Sequence, residues 1–163
     1  MKVSNIALEV EKLSIDVDAV SQDKLAQFRK DGANAVTDYI SKFHSGDDID
    51  DALASLVIAS LQEIQVRDFA LGLMGTGLTC QALERLAFIS PKSHLSPIHS
   101  LLAISYYEDG KTNQALLTLD KVESEYSLAL LLRRVISANW PPSEFARMRA
   151  ELHPKVVEGI FPA

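Results

Sequence analysis

The stretch Ser105-Tyr106-Tyr107-Glu108-Asp109-Gly110-Lys111-Thr112-Asn113-Gln114-Ala115-Leu116 constrains the fold of this chain more than any other. Apolar residues at helical spacing lead up to Gly110 and resume beyond it. The segment therefore reads as a tight turn between two antiparallel helices that approach closely at Ala115. A fainter copy lies 33 residues upstream, where Gly77, Ala82, Leu86 and Ile89 stand in the places of Gly110, Ala115, Leu119 and Val122. Phe69, Ala70 and Leu73 precede the first turn as Leu102, Ala103 and Tyr106 precede the second. A helix-turn-helix unit recurring at this period predicts stacked helical hairpins.

From Ser21 onward the spacing predicts helix after helix, about eight in all, in a single helical domain over 1–163. Ser21 is placed to cap a short helix that stops at Gly32, and a second helix follows over about 33–43, ended by His44-Ser45-Gly46. Asp47, Asp48, Asp50 and Asp51 surround Ile49 and place negative charge at the positive end of the next helix, which presents Leu53, Leu56, Val57, Leu61 and Ile64. Asp68 is expected to cap the segment from Phe69 to Met74. The Gly75-Thr76-Gly77 turn leads into a helix through Ile89. Ser96-Pro97 reads as a helix start, and Trp140-Pro141-Pro142 as a stop. A short helix over about 143–152 and a frayed tail from Pro154 complete the pattern. Residues 1–20 are a lead segment. Ile6, Val10 and Leu13 suit a helix capped by Ser4, whereas Ile6-Leu8-Val10 and Leu13-Ile15-Val17 alternate like short strands. Helix through Leu13, followed by an extended lead to Ser21, is the expectation.

Composition narrows the function classes. Acidic residues outnumber basic ones, 22 to 16, for a net charge of −6. No basic footprint exists to neutralise phosphates, which argues against nucleic acid as a partner. The charge is uneven: residues 1–60 hold 11 acids and 6 bases, while 127–163 hold 3 acids and 5 bases. Cys80 is the only cysteine, so no internal disulfide and no cysteine-rich zinc site can form. The longest strongly apolar window, Leu53 to Leu61, falls well short of the roughly 20 residues that span a bilayer. Glu9, Glu11 and Lys12 interrupt any secretory signal. A cytoplasmic protein with no membrane association is expected.

Residues 97–127 resemble a tetratricopeptide repeat. Ala103 and Ala115 match its small positions, Leu102 and Tyr106 its large ones, and Gly110 its turn. His99 and Ser127 stand where a tryptophan and a closing proline are usual, so the array over 60–150 is a degenerate one. The stretch from about Ser21 to Phe145 is also similar to the helical C-terminal half of an actinobacterial family of unknown function. Arg67-Asp68-Phe69-Ala70-Leu71, the Tyr107 to Ala115 turn, Tyr126-Ser127-Leu128-Ala129 and Pro141-Pro142-Ser143-Glu144-Phe145 carry that likeness. Asn139-Trp140 replaces the usual glycine before the paired prolines.

The repeat resemblance implies a concave groove lined by one face of each first helix. It places Ser100, Ile104, Tyr107 and Glu108 there, with Arg134 on the following first helix, as residues that meet a protein or peptide partner. The alternative is that Ile104 and Tyr107 bury against a neighbouring helix. No residue pattern meets the needs of catalysis. His94 and His99 lie five apart with a helix start between them, no HExxH occurs, and the aspartate cluster lacks the glycine and final glutamate of a calcium loop. Gly72, Gly75 and Gly77 do not form a phosphate cradle, and no GxSxG elbow is present. His44 and His153 are read as helix-end residues, and Cys80 as a small buried apolar one. The expectation is a non-catalytic protein–protein interaction module without metal or cofactor. A structural homo-oligomer, and an enzyme or small-ligand binder, are the rival expectations.

Overall fold

Helical spacing becomes helix over most of the chain. The computed structural model describes residues 2–163, with side chains from Asn5 onward. Among the described residues 74% are helical and no strand is present. The helices are α1 (Lys2–Leu13), α2 (Gln22–Ser45), α3 (Asp51–Ser60), α4 (Ile64–Gly72), α5 (Cys80–Ile89), α6 (Leu95–Glu108), α7 (Thr112–Leu119), α8 (Ser127–Ser137) and α9 (Pro142–Ile160). A 3-10 turn, Lys92–His94, leads into α6.

The N-terminal ambiguity resolves as helix. Ile6 and Val10, four apart, are buried while Leu8 between them is 56% exposed. Helical period separates Leu8 from the other two, whereas strand period would put all three on one face. Ser4 lies within α1, and its expected capping side chain falls outside the described residues. The expected extended lead is a turn, with Ala19 and Val20 both donating to the Asp16 carbonyl.

Side-chain caps set several helix starts. Ser21 accepts from the Lys24 amide, Asp50 from Leu53 and Thr79 from Ala82. Each satisfies one of the orphan donors of a first turn. Gly46 ends α2 in the left-handed region at φ 71°, and its missing Cβ makes that conformation inexpensive.

Several boundaries differ from the sequence expectation, each for a tertiary reason. Gly32 does not stop a helix. It lies inside the 24-residue α2, where a Cβ would come within 2.6 Å of Ser60 Cβ. The glycine marks close approach of α2 to α3, not a break. Asp68 does not cap α4. That helix starts earlier, capped by buried Glu63, whose carboxylate accepts from the Gln65 and Val66 amides and pairs with Arg29. Ile64, expected in the core, is exposed. The Ser96-Pro97 start is displaced too: α6 begins at Leu95, and Pro97 sits in its first turn, where a missing N–H costs no helical bond. Finally, the chain after Pro142 is not a short helix and tail. Pro154 lies inside α9, which runs on to Ile160.

One core joins the elements. α1 and α2 pack on α3, α5 packs on α6, and α6 forms an antiparallel hairpin with α7. In that hairpin Ala103 and Ala115 are both fully buried, and Gly110 makes the turn at φ 79°. The fainter upstream copy is built otherwise. Its left-handed glycine is Gly75, at φ 81°, not Gly77. Instead of packing along α5, α4 packs against α2 and α9. The last helix thus folds back across the molecule to reach α2, α4 and α6.

Candidate functional site

Four of the five residues expected to line a groove are covered. Ser100 and Ile104 are fully buried, and the Ser100 hydroxyl donates to the Ser96 carbonyl within its own helix. Tyr107 is 3% exposed. Its hydroxyl donates to the Trp140 carbonyl, and its ring meets Phe145 edge-on at 6.1 Å. Glu108 accepts both arms of Arg149, at 2.5 and 2.8 Å, in a pair whose side chains are 14% and 8% exposed. Phe145 and Arg149 are four apart on α9, so one face of that helix delivers both contacts. At Tyr107 and Glu108 the face expected to meet a partner is occupied by the chain's own C-terminal helix.

Arg134 differs: it stays exposed, on the wall of a hollow between α8 and α9. Leu131, Val135, Ala138, Trp140 and Met148 share that wall, and the hollow holds about 230 Å³. α8 and α9 are joined by a short link in which Asn139 adopts φ 56°. They do not pack along each other, which leaves the space open. A second hollow of about 260 Å³ adjoins it through Leu131 and Met148 and reaches α4, where Leu71, Arg67 and Asp68 line it. A third, lined by Gln65, Lys155 and Gly159, adjoins the second through Asp68 and Val156. The three adjoin through these shared residues and form a groove along α9, walled by α8 at the Trp140 end and by α4 at the Gly159 end. Leu131 is 39% exposed, Trp140 46% and Leu152 50%. Large apolar side chains left this open beside one another mark a surface that gains from being covered.

Arg67 and Arg149 form the inner wall. Arg67 is buried, forks onto Asp68 at 2.8 and 3.1 Å, and makes two longer 3.3 Å bonds to the Tyr126 and Ser127 hydroxyls. Burial alone would lower its affinity for the proton, but Tyr126 and Asp68 outweigh that and hold the guanidinium charged. Arg149 also donates to the Met74 carbonyl at 2.7 Å. With each arginine facing its own carboxylate, the middle of the groove is close to neutral. At its two ends, Arg134 and Lys155 take part in none of the ion pairs among the described residues.

His153 is not a helix-end residue, because α9 continues past it. Its ring lies 5.4 Å from Phe69 and fills the space that a side chain at Gly72 would need, since a Cβ there would fall 2.0 Å from Nδ1. Nδ1 is buried without a hydrogen-bond partner. Burial pushes the imidazole below its ordinary range, as it does for His94 and for His99, where Lys121 adds to the effect. These groups bind protons more readily unfolded, where their pKa is about 6.5. Their contribution to stability is therefore complete above that value and is lost as the pH falls through the lower folded-state values. Melting temperature should drop between pH 7.5 and 5.5, and His153→Gln should flatten part of the slope. A melting temperature constant over that range would contradict this account.

Other polar clusters have structural bonding. Cys80 Sγ and the Tyr106 hydroxyl both donate to Glu84 Oε1, at 3.3 and 2.8 Å. Burial, then Glu84, pushes the Cys80 thiol up, the opposite of what activates a nucleophile. Ser14 donates to the Val10 carbonyl, so His94 Nε2, 3.1 Å away, supplies the proton of their mutual bond. His44 Nε2 donates to the Gly77 carbonyl at 2.6 Å. Among the described residues no three His, Cys, Asp or Glu side chains gather as a metal site would need. No helix there is long and apolar enough to cross a membrane.

Sequence reasoning missed the pairing of Arg149 with Glu108: Arg149 falls inside the expected helix over about 143–152, but nothing local to that helix says which other helix its face meets. The spacing of Phe145 and Arg149 was the available signal. No curated protein and no solved structure matches the chain. The family described as Domain of unknown function (DUF4192) matches residues 4–143, and the chain belongs to that family.

Proposed function

We propose that this protein is a non-catalytic docking module that holds a helical segment of another protein in the groove that runs along α9 between α8 and α4. On this reading α6–α7 is a single tetratricopeptide-like hairpin. Its own concave face is occupied by α9, and α9 offers a new docking edge in exchange. The observation that carries the reading is the row of half-exposed apolar side chains, Leu131, Trp140 and Leu152, along adjoining hollows that a packed helix pair would have closed. A groove walled largely by apolar side chains suits the helix-in-groove mode of recognition. The clusters around Glu84 and Glu63 are bonded within the fold, which favours binding over chemistry there.

The test starts with a photo-crosslinking side chain in place of Leu152 in the native host, followed by purification of the captured protein. Leu131→Asp should weaken binding of that purified partner at least tenfold, as loss of a groove anchor does. It should leave the melting temperature almost unchanged, because Leu131 is already partly in water. Crosslinks only to a second copy, with a dimer that resists dilution, would overturn the reading in favour of a structural homo-oligomer.

A further inference from the structure

Resting on that docking reading, we infer that the segment held along α9, against α8 at one end and α4 at the other, is an acidic amphipathic helix of about three turns, with a carboxylate near each end. Its length follows from the groove. The hollows follow α9 from Met148 to Gly159, and at 1.5 Å per residue that stretch is about 16 Å long, or three helical turns. Its charge follows from what lines each part. Arg67 with Asp68 and Arg149 with Glu108 leave the middle neutral and largely apolar. Arg134 stands at one end and Lys155 at the other, and neither pairs with a carboxylate among the described residues.

This arrangement is selective because the rest of the molecule is not basic. The chain carries a net charge of −6, and its first sixty residues hold 11 acids against 6 bases. An acidic helix is repelled over much of the surface and attracted at this groove, which steers encounter and fixes register. A basic helix meets the reverse. Nucleic acid fits poorly, since its phosphates call for a row of free cations and the groove offers one at each end of an apolar floor.

Trp140, the only tryptophan, lies in the groove and reports on it through its emission. Three synthetic helical peptides of about fourteen residues serve as probes. Leucines three and four apart form one face of each, and the ends carry glutamate, glutamine or lysine. At low salt the glutamate peptide should bind about tenfold more tightly than the lysine peptide, and the gap should close in about 0.5 M salt, where screening is strong. The double variant Arg134→Glu, Lys155→Glu should invert the order. Equal binding by all three would overturn the charge inference while the docking reading stands, and tightest binding by the lysine peptide would also overturn it. If no peptide alters Trp140 emission, both fall together.

Discussion

Arg149→Met should destabilise the protein by about 3–5 kcal/mol, the usual consequence of removing one partner from a buried ion pair. The guanidinium holds both oxygens of Glu108 and the Met74 carbonyl. Without it, the carboxylate remains in a pocket that leaves its side chain only 14% exposed, and the carbonyl loses its donor. The loss is dominated by the charge left behind, not by the net worth of the pair. Adding Glu108→Gln should therefore recover part of the stability, because a neutral amide is less costly to bury. Urea denaturation of the two single variants and the double variant measures both quantities. A loss below about 1 kcal/mol for Arg149→Met would put this pair in the range of solvated surface pairs. It would mean that α9 is held by its apolar contacts alone.

The Tyr107→Ala variant is expected to lose about 3–5 kcal/mol, in line with other truncations of large buried aromatics. The ring is 3% exposed, packs edge-on against Phe145, and sends its hydroxyl to the Trp140 carbonyl. The deletion would open a cavity between α6 and α9 and strip that carbonyl of its donor. Tyr107→Phe isolates the second effect and should cost only about 1–2 kcal/mol, the scale of one buried hydrogen bond. Thermal melts of the two variants decide between a core residue and a groove residue. If Tyr107→Ala melts like the parent protein, the ring is not packed as described, and α9 does not cover the face of α6.

Both effects arise at a contact between residues about forty apart in sequence, and this separates what the chain states locally from what it does not. Helical spacing, the cap at Ser21, the terminating Gly46 and the Gly110 turn with Ala103 and Ala115 were all legible, because each depends on near neighbours along the chain. Apolar period is a local property, and so is the conformational freedom of a glycine. Gly32 was misread for the same reason. A glycine that ends a helix and one that lets two helices touch look alike in sequence, and only the position of Ser60 distinguishes them. Asp68 was read as a cap, whereas its partner is Arg67 and the cap is Glu63, itself fixed by Arg29 from α2. The candidate site was less legible still. Tetratricopeptide likeness pointed to one face of α6, and that face is chemically as expected, with an amphipathic ring, an apolar side chain and a carboxylate. Whether water, a partner or the chain itself covers it depends on where α9 lies. That is decided by Phe145 and Arg149 finding Tyr107 and Glu108, and by His153 finding the gap at Gly72. Sequence alone determined that the chain is helical and where one close hairpin turns. Tertiary structure decided which apolar face stayed open, because burial depends on what comes to lie opposite a residue in space.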